Sequence, residues 1–245
     1  HAYLKEPKMG LHNERTLWYL KYEKYLYVRQ LLFTLMVCYI LFFKLDFIKL
    51  YFDLNTTAIA ILLFSFIISI LYYFPIRIKA TIAIRALGFT KSASIAWVWC
   101  VTCCLGPILL TKSDTNPAGF WTLHFVLYFL QLFIFILILA ILFDIKDMPR
   151  DKEEVVRTIV LKYGIYSTVR ALITPLALAY LILSLLINYT FHQSILYLMS
   201  QVMLILTLYF VITVIQKTRQ IHVNILLIDG LMLLKAMIGI IYAIN

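Results

Sequence analysis

The chain has 245 residues, of which 63% are hydrophobic and only 14% are charged, and its mean hydropathy is +0.92. Soluble domains carry about 25% charged residues, so this composition excludes an ordinary water-soluble protein and indicates an integral membrane protein in contact with membrane lipid. The net charge of +10 does not indicate nucleic-acid binding, because the basic residues are spread over the loops between apolar segments.

Seven apolar segments follow one another along the chain, and each is near the 20 or so residues that a bilayer-crossing helix needs. None alternates strictly between apolar and polar residues as barrel strands do. A lipid environment also requires that backbone hydrogen bonds are satisfied internally. The sequence therefore predicts an all-α, polytopic transmembrane helix bundle. The predicted spans are 25–43, 56–75, 93–111, 120–143, 170–188, 195–215 and 225–244.

Positive charge is concentrated on one side of the predicted bundle. If the spans alternate in direction, the loops of that side and the adjoining helix ends hold 18 of the 22 Lys and Arg residues. Cytoplasmic loops are enriched in Lys and Arg, so we expect this side to be cytoplasmic, in a membrane such as the bacterial inner membrane. The loops concerned are 1–24, 76–92, 144–169 and 216–224.

An acidic stretch follows the fourth apolar segment and reads DIKDMPRD from Asp144 to Asp151. On a helix, Asp144, Asp147 and Asp151 fall within roughly 60° of one face, whereas a helix that ended at Pro149 would leave Asp151 on a turn. Clustered carboxylates beside Lys and Arg suit Mg²⁺ shared with a substrate diphosphate. The competing interpretation is a solvated helix end with ion pairs between neighbouring turns.

The acidic stretch, followed by Thr158 and Gly164, resembles the second aspartate-rich motif of the UbiA superfamily of membrane prenyltransferases, D-x-x-D-x-x-x-D. This resemblance implies a nine-helix fold around a central cavity, in which the seven segments correspond to helices three to nine. Residues 1–245 would then form one transmembrane domain that lacks about two N-terminal helices. Weaker resemblances lie in the Tyr-Pro segment 71–75 with the basic residues after it, in the helix start 91–99 and in the C-terminal segment 229–232.

The resemblance also implies an activity and a site. The activity is transfer of an isoprenoid group from a diphosphate donor to an aromatic or other lipid-like, hydrophobic acceptor, with Mg²⁺ as cofactor. The implied metal ligands are Asp144, Asp147 and Asp151. The implied diphosphate-binding residues are Arg77, Lys79, Lys146, Arg150 and Tyr73.

The first aspartate motif of the family, N-D-x-x-D, does not occur in this chain, and its expected place is just before or at His1. Enzymatic activity therefore stays open beside two alternatives. One is a non-catalytic UbiA-like protein that binds a prenyl lipid and has lost the first motif. The other is a small transporter.

Two charged residues, Asp229 and Lys235, lie in the last predicted span. Charges inside a membrane are unfavourable and often mark function, so both are candidate functional residues. They are six positions apart and do not share a helix face. We therefore expect Lys235 to find a partner on another helix or in a wet cavity.

Overall fold

A computed structural model describes most of the chain, and the described residues are almost entirely helical, which confirms the predicted all-α class. They are 21–39, 56–73, 76–78, 80–82, 88–110, 122–153, 158–217 and 221–244.

Nine helices are found in the described residues, with a π-helical turn, Val169–Ile173, between the sixth and the seventh. A short antiparallel hairpin follows the second helix and pairs β1, Ile76–Ile78, with β2, Ala80–Ile82. The helices are α1 Glu23–Tyr39, α2 Thr56–Tyr73, α3 Gly88–Leu110, α4 Leu123–Glu153, α5 Ile159–Tyr163, α6 Ile165–Thr168, α7 Thr174–Phe191, α8 Ile195–Lys217 and α9 Ile221–Ile244.

Four helical stretches of the described residues are long and apolar enough to cross a membrane, and α2 holds a shorter apolar stretch, Ala60–Tyr72. A helix lies at each of the seven predicted spans. The structure thus has four candidate membrane-spanning helices, and a total of seven spans in a UbiA-like fold stays a prediction. The four stretches are Leu123–Met148, Ile165–Phe191, Ile195–Lys217 and Val223–Tyr242.

The chain divides into two compact units. The first comprises His1–Ala60 with Ile108–Lys112, and its described part includes α1. The second comprises Ile61–Pro107 with Ser113–Asn245 and holds all four candidate spans. Every side-chain contact discussed below lies within this second unit.

Helix α4 is the central element of the second unit. Eight consecutive residues, from Phe135 to Leu142, are buried, and a helix that is apolar and buried all round faces other protein on every side. It packs against α7 and α9. On its α3 side, the Cys100 thiol donates to the Phe129 carbonyl oxygen over 3.3 Å. Helix α4 therefore contacts α7 and α9 and also accepts a hydrogen bond from α3.

The π-helical turn before α7 has a local cause in Pro175. Proline has no backbone N–H, and in a regular α-helix its ring clashes with the carbonyl four residues earlier. The turn is wider here, and both the backbone N–H and the hydroxyl of Thr174 donate to the Val169 carbonyl, five residues back. Tyr209 of α8 donates to the Thr174 hydroxyl over 3.1 Å, so this irregular turn also links two spans.

A polar link joins α2 to α3. The Trp97 indole nitrogen donates to the hydroxyl of Ser65 over 3.0 Å, and Ser65 is buried. The Trp97 ring packs edge-on against Phe64 and Phe129, at centroid distances of 5.7 and 5.8 Å. The hydrogen bond therefore lies beside an apolar contact of three aromatic rings.

We expect Ser65→Ala to lower the free energy of unfolding by about 1–3 kcal/mol, because the indole N–H loses its acceptor in a buried position. Thermal unfolding in detergent micelles measures the change. Ser69→Ala is the matched control, since the Ser69 hydroxyl donates to a carbonyl of its own helix. Equal losses in the two variants would show that the link to Trp97 contributes nothing of its own.

Candidate functional site

Helix α4 carries two polar centres. One includes Asp144 of the acidic stretch, and the other includes Gln131, 13 residues earlier. At 1.5 Å and 100° per residue, these positions are roughly 20 Å apart along the helix axis and about 140° apart around it. They therefore face different neighbours and form two separate sites, which we call the ionic cluster and the Lys235 network.

The ionic cluster consists of Lys91 and Ser92 of α3 with Asp144 and Asp151 of α4. The Lys91 amine lies 2.7 Å from Asp144 Oδ1 and 3.4 Å from Asp151 Oδ2. The Ser92 hydroxyl donates to the other Asp144 oxygen, Oδ2, over 2.7 Å. Both carboxylates are only 5% exposed. In the described part of the chain, one ammonium thus pairs with two buried carboxylates.

The path of α4 explains how two aspartates meet one lysine. The helix continues through Pro149 to Glu153, so the alternative in which Pro149 ends the helix is wrong. Asp144 and Asp151 are seven residues apart, about two turns on the same face, and both point to the start of α3. Asp147 is different, because its carboxylate lies 3.0 Å from the Lys146 amine and its side chain is 40% exposed.

Burial and charge act against each other in the ionic cluster. Burial alone lowers the pKa of the Lys91 ammonium, but the carboxylates of Asp144 and Asp151 outweigh it, so the pKa lies above its ordinary value. Burial raises the pKa of the Asp151 carboxyl, and the attraction of Lys91 opposes this shift only in part. Lys91 is therefore fixed in its charged form, and Asp151 is the weaker of its two partners.

The three predicted metal ligands do not converge on one point. Asp144 and Asp151 face Lys91, whereas Asp147 faces Lys146. Within the described ranges, no three His, Cys, Asp or Glu side chains are grouped to hold a metal ion. As placed, these carboxylates do not fit a shared Mg²⁺ ion, because Asp144 and Asp151 pair with one lysine and Asp147 pairs with another. Mg²⁺ at this site stays a prediction.

The predicted diphosphate-binding residues are described only in part. Lys146 is described with its side chain, which pairs with Asp147 and lies with its amine 5.1 Å from the centre of the Phe143 ring. For the others the side chains, or in one case the whole residue, lie outside the described residues, and their roles stay predictions. These are Tyr73, Arg77, Lys79 and Arg150.

A pocket of about 120 Å³ lies between α2 and α3, and Ser69, Tyr72, Ser94 and Trp99 are among its lining residues. Tyr72 is close enough to Lys91 to contribute to the raised pKa of that ammonium. Pockets for drug-sized ligands usually measure about 300–1,000 Å³. This pocket lies beside the ionic cluster, but at this size it does not enclose a whole isoprenoid donor.

The Lys235 network lies inside the candidate spans. The Lys235 amine donates to Tyr180 Oη over 2.7 Å, to Gln201 Oε1 over 3.1 Å and to Gln131 Oε1 over 3.2 Å. The Tyr180 hydroxyl in turn donates to Gln201 Oε1. Tyr180, Gln201 and Gln131 are all buried. An ammonium has three donors, and here each of them has an acceptor.

The network continues through Gln131, whose amide nitrogen donates to Ser184 Oγ over 2.8 Å and to Tyr197 Oη over 3.1 Å. Helices α4, α7, α8 and α9 each contribute at least one of its residues. Among the described residues, every hydrogen-bond acceptor of Lys235 is neutral. Asp229 lies exposed on α9 and is not part of the network.

No family model, curated protein or solved structure matches this chain. The likeness to the UbiA superfamily therefore rests on the motif residues of the sequence, and membership of that family stays a prediction.

Sequence reasoning did not select Lys91 or Ser92, although both lie in the segment 91–99. A signal was present: a lysine and a serine begin an apolar helix on the predicted side of the membrane where the acidic stretch also lies. The sequence also predicted that Lys235 has a partner, but it did not indicate which residues accept its hydrogen bonds. The structure joins Lys91 to Asp144 and Asp151, whereas Lys235 hydrogen-bonds to the residues of the separate Lys235 network.

Proposed function

We propose that this chain is a membrane prenyltransferase of UbiA type, with its site at the cytoplasmic side of a membrane such as the bacterial inner membrane. It would move an isoprenoid group from a diphosphate donor to an aromatic or other lipid-like acceptor. The observation that supports this proposal is the contact of Lys91 with Asp144 and Asp151. It joins two segments of family resemblance, 91–99 and 144–151, at one end of a helix bundle.

The chemistry requires groups that stabilise the leaving diphosphate and an environment that protects an allylic cation from water. Lys146, with Arg77, Lys79 and Arg150 as further predicted contacts, supplies positive charge around the acidic stretch. Aromatic ring faces stabilise a cation as well, and Phe143 lies next to Lys146. We propose that the diphosphate binds among these basic side chains while its isoprenoid tail extends into the apolar bundle.

One observation favours the second candidate, a non-catalytic protein that binds a prenyl lipid. The Lys91 ammonium already compensates one of the two negative charges of Asp144 and Asp151. A site arranged in this way could hold a diphosphate headgroup without cleaving it. For the transporter alternative, the described residues offer Lys235 no charged hydrogen-bond partner inside the spans.

The test uses the purified full chain with radiolabelled farnesyl diphosphate, with and without Mg²⁺. We expect diphosphate release by the wild type, and release at least about tenfold slower in Asp147→Asn, which corresponds to roughly 1.4 kcal/mol of lost transition-state stabilisation. Asp147 is partly exposed, so this variant is expected to fold. Lys217→Gln is the control, because it removes an exposed charge outside the ionic cluster.

Equal rates for the wild type and Asp147→Asn would contradict the catalytic proposal at this site. Binding of farnesyl diphosphate without release would support the non-catalytic candidate instead. Binding is measured as the rise in thermal stability that a ligand of the folded state produces. If the ligand produces no rise and no diphosphate is released, both candidates are wrong.

A further inference from the structure

Two carboxylates and one ammonium meet in the ionic cluster in a geometry typical of a bound cation. Asp144 and Asp151 approach one point from positions two turns apart on α4, and the Lys91 amine fills that point. The second oxygen of Asp144 is taken by Ser92. Carboxylates that converge in this way around a single positive charge are also the ligand arrangement that hard divalent cations prefer.

The charge balance shows why some cation is required there. The carboxylate side chains are 6% exposed and that of Lys91 is 12% exposed, so water compensates little of their charge. If only the described residues are considered, two negative charges would be buried side by side without Lys91, and such groups either take up a proton or bind a cation. Lys91 belongs to α3 and the carboxylates to α4, so the compensating charge comes from a neighbouring helix.

We propose that Lys91 is a tethered counter-cation, whose ammonium takes the position between Asp144 and Asp151 that a divalent cation would otherwise take. The pair then needs no metal ion to be stable, and a divalent cation binds it only in exchange for Lys91. This inference concerns which cation the cluster holds. It goes beyond prenyl transfer and stands whether or not the chain performs that reaction.

The test is Mn²⁺ binding to the purified full chain, measured by electron paramagnetic resonance at neutral pH. We expect Lys91→Met to bind one Mn²⁺ about tenfold or more tightly than the wild type does, a difference of roughly 1.4 kcal/mol. The double variant Lys91→Met/Asp151→Asn should lose this gain. Lys146→Met is the matched control, since it frees the partly exposed Asp147 instead of the buried pair, and we expect it to behave like the wild type.

The proposal is wrong if Lys91→Met binds Mn²⁺ no more tightly than Lys146→Met does. A second measurement uses the wild type alone, in case Lys91→Met does not fold. Amine-reactive labelling, followed by mass spectrometry, should leave Lys91 protected in metal-free buffer and label it when millimolar Mn²⁺ displaces it, while exposed Lys217 is labelled in both conditions. Labelling of Lys91 that does not change with Mn²⁺ would overturn the proposal. Neither measurement depends on prenyl transfer, so failure here is distinct from failure of the proposed function.

Discussion

Asp144→Leu is expected to lower the free energy of unfolding by about 3–5 kcal/mol, because it breaks a buried ion pair and leaves the other partner without its main counter-charge. Lys91 would keep only Asp151, at the longer distance of 3.4 Å, and Ser92 would lose its carboxylate acceptor. Unfolding of the full chain by sodium dodecyl sulfate in mixed micelles, followed by circular dichroism, measures the change.

Asp147→Leu is the control for this prediction. Asp147 lies on the same helix, one turn away, but its side chain is 40% exposed. Ion pairs that are open to solvent contribute at most about 1 kcal/mol, so we expect a correspondingly small loss. The double variant Lys91→Met/Asp144→Leu should lose less than the sum of the two single losses, because the two residues are directly coupled. Similar losses for Asp144→Leu and Asp147→Leu would contradict the burial argument.

In the Lys235 network, removal of an acceptor is expected to destabilise the protein more than removal of the lysine. Gln201→Leu should lower the free energy of unfolding by about 1–3 kcal/mol, because buried donors on Lys235 and Tyr180 lose their acceptor. Lys235→Met keeps a similar shape and removes the buried charge together with its bonds. The acceptors that it leaves keep other donors, because Gln201 Oε1 still accepts from Tyr180 and Gln131 Oε1 from Tyr197, so we expect a change near zero or a gain.

The same denaturation assay compares the stability losses of Gln201→Leu and Lys235→Met. A double-mutant cycle then measures how much of the loss comes from the contact between the two residues. In the Lys235→Met background, Gln201→Leu should cost less than in the wild type, with a coupling of roughly 0.5–3 kcal/mol. Lys217→Met, at the exposed end of α8, is the control for removal of a lysine. The prediction is wrong if Lys235→Met destabilises the protein more than Gln201→Leu does, since the charge would then be a net stabilising element.

The helices could be predicted from the sequence because an apolar segment long enough to span a membrane is recognised from neighbouring residues alone. A helix lies at each of the seven segments, and α4 contains most of the predicted span 120–143. Its end was harder to predict, since the local tendency of Pro149 to end a helix competes with the burial of Asp151 against α3. The pattern of residues within one segment does not report such packing, and α4 continues ten residues beyond the end of the predicted span.

Only some of the site residues could be predicted from the sequence, because hydropathy and motif spacing do not report partners that are distant in the chain. The acceptors of Lys235 lie 34, 55 and 104 positions away from it. Lys91 lies 60 positions from Asp151. A charge in a span predicts that some partner exists, and a run of aspartates predicts some cation. Which residue fills each role depends on helix packing that the sequence does not display locally.

The Lys235 network also bears on how the protein is assembled during synthesis. Lys235 lies C-terminal to Gln131, Tyr180 and Gln201, so the ribosome delivers it after the three oxygens that bind it. A lysine at the centre of a lone span disfavours membrane insertion by about 2.5–3.5 kcal/mol, and these acceptors reduce that penalty once α4, α7 and α8 are already packed. In a membrane, the last of the four candidate spans would therefore insert after the residues that bind Lys235 have been synthesised, and the order of translation would favour the correct bundle.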